Sequence, residues 1–157
     1  EPVEAFLSRA RNLGPAIGPI LYQLPPRWAF NRERLEDFIA LLPSDLTHVF
    51  EFRDKSWYTH EMLAPLDADG VSFCVHDMPG SASPRCATGP VAYVRFHGGE
   101  GKYWGRYSDE GLLSWTDWIV EQAKGGRPAW CYFNNDIHAH AIYDALTLRA
   151  MVAQAMR

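Results

Sequence analysis

No stretch of this sequence approaches the ~20 consecutive apolar residues that cross a bilayer, and no basic segment followed by an apolar one opens it. Neither a membrane partner nor a secretory leader is expected, and a cytoplasmic location is. Basic residues are not in surplus either. Fifteen Lys and Arg stand against 19 Asp and Glu, for a formal net charge of -4. A chain so charged lacks the electrostatic footprint that a phosphate backbone requires, so nucleic acid is not an expected partner. Cysteine is scarce: Cys74, Cys86 and Cys131 form an odd set without CxxC spacing. That argues against a disulfide framework and for core thiols in a reducing compartment.

Local catalytic signatures are missing too. There is no GxSxG, and "HEMLA" departs from the HExxH zinc motif at Ala64. The first strand-like run leads into "QLPPRW", not into a glycine-rich dinucleotide turn. "GGEGKY" fails the phosphate-loop pattern, because Phe96 stands where its first Gly is needed and Tyr103 follows Lys102 in place of Ser or Thr. Covalent serine or cysteine chemistry is disfavoured, which leaves acid/base chemistry or binding alone. No cofactor is assigned.

What is present is an ordinary globular balance, 47% hydrophobic and 22% charged, with six Trp, in 157 residues. That is one domain, 1–157. Val3, Phe6, Leu7 and Ala10 make a helical stripe that Gly14 and Pro15 stop. Asn31 is placed to cap a helix in which Leu35, Phe38, Ile39 and Leu42 share a face, and Ser108 to cap one over "DEGLLSWTDWIVEQAK". The apolar run "IGPILYQLPP", closed by Pro25 and Pro26, reads as a strand leading into a loop, "HVFEFR", "VSFCVHD", "VAYVRFHG" and "AWCYFN" as strands, and "HAHAIYDALTLRAMVAQAM" as a closing helix. Strands that alternate with helices and are apolar on both sides predict a parallel sheet covered by helices, an α/β fold. Nearly every strand ends on a polar residue, the habit of a TIM-barrel-like (β/α) fold that builds its site from strand ends at one face. Five βα units cannot close an eight-stranded barrel. The chain begins on Glu1 and on a helix, so N-terminal units are read as missing, and self-association is expected if sheet edges are left uncovered.

Alternation along a strand puts Glu51 and Arg53 on one side of "VFEFR" and Tyr93, Arg95 and His97 on one side of "YVRFHG". The bland reading is a structural network, with Glu51 paired to Arg95. The functional reading is a mouth at which Arg53 and Arg95 grip an anion while Glu51 or His97 moves a proton. Asp77 is a further acid or base. His76 is expected on the opposite side of its strand, and Cys74 shares the His76 side. Asn134, Asn135 and Asp136 are placed to hydrogen-bond hydroxyls or to cap the last helix, and Trp57 to form a pocket wall or to pack in the core. The glycine-rich loop from Gly98 reads either as a plain flexible connector or as a lid on which Tyr103 and Trp104 stack against a ligand. Glu51, Asp77 and His97 have the chemistry for a divalent ion, but no compact ligand motif supports one, so no metal is assigned. His48 and His60 read as surface or boundary positions, His138 and His140 as solvent-facing or capping ones.

The motifs "GPILYQLPP", "FEFRDKSW", "YVRFHG" and "YFNND", in that order, resemble the YecE-like family, a domain of unknown function with a TIM-barrel-like fold. The resemblance covers essentially the whole chain and matches the C-terminal part of the family domain. It implies a site at the barrel mouth built from Gln23, Glu51, Arg53, Trp57, Asp77, Arg95, His97, Tyr103, Asn134, Asn135 and Asp136. "RDKSW" departs from the family's more usual "RHPSW". The resemblance implies no reaction. The resulting expectation is a small anionic or polyhydroxylated ligand and acid/base chemistry. The alternatives are metal-dependent isomerase or phosphodiester chemistry, and a non-enzymatic ligand-sensing or interaction module.

Overall fold

In the computed structural model, which describes residues 2–157, helices and strands alternate from α1 (Pro2–Ala10) to α5 (His140–Ala155). Glu1, read above as the start of a domain lacking earlier units, lies outside the described residues. Between the end helices come β1 (Ile20–Gln23), α2 (Arg32–Ile39), β2 (His48–Glu51), α3 (His60–Ala68), β3 (Ser72–Asp77), β4 (Ala92–Phe96), α4 (Asp109–Lys124) and β5 (Ala129–Phe133). All five strands are parallel, in the order β1-β2-β3-β4-β5, and they curl into a half-barrel. Each crossover but one carries a helix. The exception is β3 to β4, where the Pro, Gly and Ser of residues 78–91 keep the chain irregular.

The helix starts follow from capping chemistry. Asn31 Oδ1 accepts from the Arg34 amide at 2.9 Å, and Ser108 Oγ from the Gly111 amide at 3.1 Å. Each satisfies one of the donors that a helix N-terminus leaves open, worth about 1 kcal/mol.

The sheet has two unlike faces. Toward the helices it presents Phe50, Phe52, Phe73, Val75, Val94 and Phe96, packed with Leu35, Met62, Leu66, Leu112, Trp115, Ile119 and Leu148. Each such side chain contributes about 1.5–3 kcal/mol by leaving water. The concave face is apolar only toward the strand N-termini, where Val49, Cys74, Val91 and Tyr93 cluster. Toward the strand C-termini it turns charged.

Candidate functional site

Register fixes which residues share that mouth. Gln23 pairs with Glu51, His76 with Arg95, and Arg95 with Tyr132. Paired residues of neighbouring parallel strands point to the same side, and that side repeats every second residue. Gln23, Glu51, Cys74, His76, Arg95 and Tyr132 are therefore on the concave face, and Arg53 and His97 extend it.

Glu51 is the centre of the cluster, with no exposed surface. Its Oε2 takes a hydrogen bond from Arg95 Nη1 at 2.5 Å, and its Oε1 lies against Arg53 Nε. Arg95 Nη1 also donates to Gln23 Oε1 at 2.8 Å. Arg53 Nη2 lies 3.0 Å from His97 Nε2 and Nη1 3.7 Å from the Met78 sulfur, while its Nε, in ion-pair contact with Glu51 Oε1, makes no hydrogen bond among the described residues. Arg95 is different: among the described residues its Nε and Nη2 meet no protein acceptor, and its side chain keeps 19% of its surface exposed. The anticipated Glu51–Arg95 pair is present, within a three-membered group.

The two imidazoles of the mouth are neutral. Burial first, and then the Arg53 and Arg95 guanidinium groups, lower the His97 pKa to about 3. Burial and Arg53 likewise lower that of His76. Two cations and one anion thus give the mouth a formal charge of +1. Burial pushes the Cys74 thiol well above its ordinary range, so it stays protonated behind the cluster.

Tyr103 reaches the site from the loop after β4. Its ring stands edge-on to His97 at 5.3 Å, and its amide donates to the His97 carbonyl at 2.6 Å. At φ +66° the residue lies in the left-handed region, costly for a bulky side chain. The loop is a built turn with a fixed root. A Cβ on Gly98, at φ +114°, would sit 2.3 Å from the Trp104 carbonyl oxygen. Asn134 joins the mouth by continuing the β4–β5 ladder, its amide bonded to the Phe96 carbonyl at 2.7 Å, and its buried Oδ1 has no partner among the described residues.

Other expected site residues are elsewhere. Asp77 lies on the helix-facing side and accepts from the Trp115 indole at 3.2 Å. The concave position at that strand end belongs to His76. Glu51, Asp77 and His97 are therefore divided between two faces of the sheet, and among the described residues no three His, Cys, Asp or Glu side chains gather closely enough to hold a metal ion. Trp57 is stacked on Phe52 at 4.3 Å, its indole donating to the Trp28 carbonyl at 2.6 Å. It borders a cavity of about 490 Å³ lined by Tyr22, Gln23, Leu24, Trp28, Leu35 and Phe38 among others. Asn135 is fully buried and braces Gly105 and Asp144, each at 2.8 Å. Asp136 is exposed, just before the short 3-10 turn Ile137–Ala139. His48, read as a boundary residue, is buried between the Pro43 carbonyl and the Tyr22 hydroxyl.

Alternation rightly set His76 and Asp77 on opposite faces, but the expectation that Asp77 is the one at the mouth is overturned. β3 is buried over nearly its whole length, so its composition does not say which of the two faces inward. Aligning "VSFCVHD" with the charged side of "YVRFHG" would have shown it.

Comparison with known proteins agrees with this architecture. A crystal structure of a DUF72 family protein from Thermotoga maritima superposes with a TM-score of 0.82 at 28% identity, covering 98% of this chain and 66% of that one. Two structures of a DUF72 family protein from Enterococcus faecalis superpose with TM-scores of 0.78 at 17% and 21% identity, each covering 96% of this chain. This chain spans about two thirds of the length of these proteins. No curated protein matches it. No helix among the described residues is long and apolar enough to cross a membrane. The profile described as "Protein of unknown function DUF72" matches residues 1–157, in keeping with the YecE-like motifs, and the chain belongs to the DUF72 family.

Proposed function

We propose that the concave mouth binds a small anion, with Arg95 as the residue that takes the acid group. The observation that carries this reading is the charge count around Glu51. One buried carboxylate is shared by two guanidinium groups, and the surplus charge is left on the arginine that still has unpaired N–H groups and an exposed edge. A planar guanidinium in that state is a ready partner for carboxylate or phosphate. Gln23, which accepts from Arg95, and Asn134 and Tyr103 at the neighbouring strand ends would hold the rest of the ligand.

Proton transfer fits less well than binding. His97 accepts from Arg53 and has a pKa of about 3, so at neutral pH it is a weak base with its Nε2 lone pair already engaged. Glu51 is clamped by both arginines. The ligand is thus held and polarised by donors, the electrostatic part of a catalytic site or the whole of a sensor.

Arg95→Gln tests the reading, because glutamine keeps a donor toward Glu51 and removes the cation. Isothermal titration with inorganic phosphate and with small carboxylates should show binding to the wild-type chain and at least a tenfold loss in the variant, with the melting temperature little changed. Equal affinity in both proteins, or a collapsed melting temperature with binding retained, would refute it.

A further inference from the structure

Two buried imidazoles at the mouth have complementary nitrogens that nothing among the described residues satisfies. Arg53 has only hydrogens to offer, so His97 Nε2, 3.0 Å from Arg53 Nη2, is the acceptor. A neutral imidazole that accepts at Nε2 carries its proton on Nδ1. The Ser81 carbonyl, conversely, can only accept. His76 Nε2 therefore donates to it, which leaves His76 Nδ1 as a bare lone pair. His97 has 0% of its surface exposed and His76 1%, and neither Nδ1 has a partner. An unsatisfied nitrogen is costly where it is buried.

One nitrogen is a donor and the other an acceptor. The ring centroids are 6.5 Å apart and the planes are inclined at 75°. A single oxygen that makes hydrogen bonds of about 2.7–3.0 Å can span a nitrogen of each ring at that separation. A hydroxyl has the matching chemistry, since it accepts from one ring and donates to the other. A carboxylate oxygen has no hydrogen for His76, and an ammonium has no lone pair for His97. Both rings stand beside Arg53, in the same charged cluster as Arg95. Tyr103, 42% exposed, is edge-on to His97.

We propose that the mouth takes a hydroxylated acid: a small carboxylate or phosphate ester whose acid group sits on Arg95 and whose hydroxyl, one or two carbons away, bridges His97 Nδ1 and His76 Nδ1. This rests on the anion-binding reading and narrows it to a class of ligand.

Matched pairs separate the two ideas. Titration calorimetry on the 157-residue chain would compare glycerate with propionate, and glycerol 3-phosphate with propyl phosphate. In at least one pair the hydroxylated member should bind at least tenfold tighter, and the pair that responds identifies the acid group. In His76→Phe the preference should fall below threefold. Side-chain nitrogen spectra of the wild-type protein need no variant: they should show His97 protonated on Nδ1 and His76 on Nε2, with both Nδ1 resonances moving when the hydroxylated ligand is added. Equal affinity within both pairs, or the opposite tautomer on either ring, overturns the hydroxyl inference and leaves the anion site standing. If none of the four compounds binds, the anion-binding reading itself falls.

Discussion

Glu51 is held in a buried position only by its two arginines, so its charge is the term that most constrains the mouth. Glu51→Gln would leave two guanidinium groups facing each other without an anion, and breaking a buried group of this kind costs about 3–5 kcal/mol. Urea unfolding should show that loss. Added phosphate should restore more stability to the variant than to the wild type, because an anion can occupy the vacated role, and a loss that phosphate leaves unchanged would mean that Glu51 acts by shape alone. His97 makes a second expectation, about pH. It ionises near 6.5 in the unfolded chain and near 3 in the folded one, so above pH 6.5 it is neutral in both states and its contribution is whole. Below pH 6.5 the unfolded chain takes up the proton and the folded one does not, and stability falls by up to about 1.4 kcal/mol per pH unit until pH is near 3. His76 is shifted in the same direction and adds to the slope. In denaturation followed from pH 7 to 4.5, the difference between wild type and His97→Gln should shrink as the pH drops; a constant difference would show that His97 is not a buried neutral group.

The loop after β4 and the helix α5 are joined through one carboxylate. Asp144, fully buried on α5, accepts from Arg106 Nε at 3.0 Å, from the Tyr107 amide at 3.1 Å and from Asn135 Nδ2 at 2.8 Å. The segment that carries Tyr103 over His97 is thus rooted on a helix, and only its tip projects. Asp144→Ala should cost about 3 kcal/mol, the scale of losing hydrogen bonds to a buried charge. It should also speed amide exchange at Tyr107 well before exchange within α4 changes, and equal acceleration of both would mark a global effect. The elements themselves were legible from the sequence, since the caps at Asn31 and Ser108 and the five apolar runs are local signals. The common side of Tyr93, Arg95 and His97 was legible too, because a charged residue recurs with the period of a strand. Less legible were partners supplied by distant segments. Asp77 is polar because Trp115, 38 residues away, offers it an N–H, and Asn135 is fixed by Gly105 and Asp144. Trp57 was left open between wall and core, and it does both, stacking on Phe52 while lining a cavity. No spacing within a single strand encodes such contacts.

At the scale of the molecule, a half-barrel differs from a closed one in having two edges. The outer sides of β1 and β5 pair with no strand among the described residues, and unpaired edges are templates for association. The β5 edge is also the more apolar. Trp130 and Tyr132 are 38% and 41% exposed on the concave face, and on the adjoining helix α5 Ile142, Tyr143 and Leu146 are each at least half exposed. Exposed aromatic and aliphatic groups of this density, next to open backbone donors and acceptors, favour contact with another chain over contact with water. The isolated 157-residue chain should therefore associate, with a weight-average mass in sedimentation equilibrium that rises with concentration. Ile142→Glu with Leu146→Glu, on the solvent side of α5, should bring the mass back toward the monomer's 17.8 kDa and leave binding of small anions at Arg95 intact. A wild-type mass that stays at the monomer value at every concentration would show that the open edges are protected by twist and by their short length. An association insensitive to the α5 changes would place the contact on the β1 edge instead.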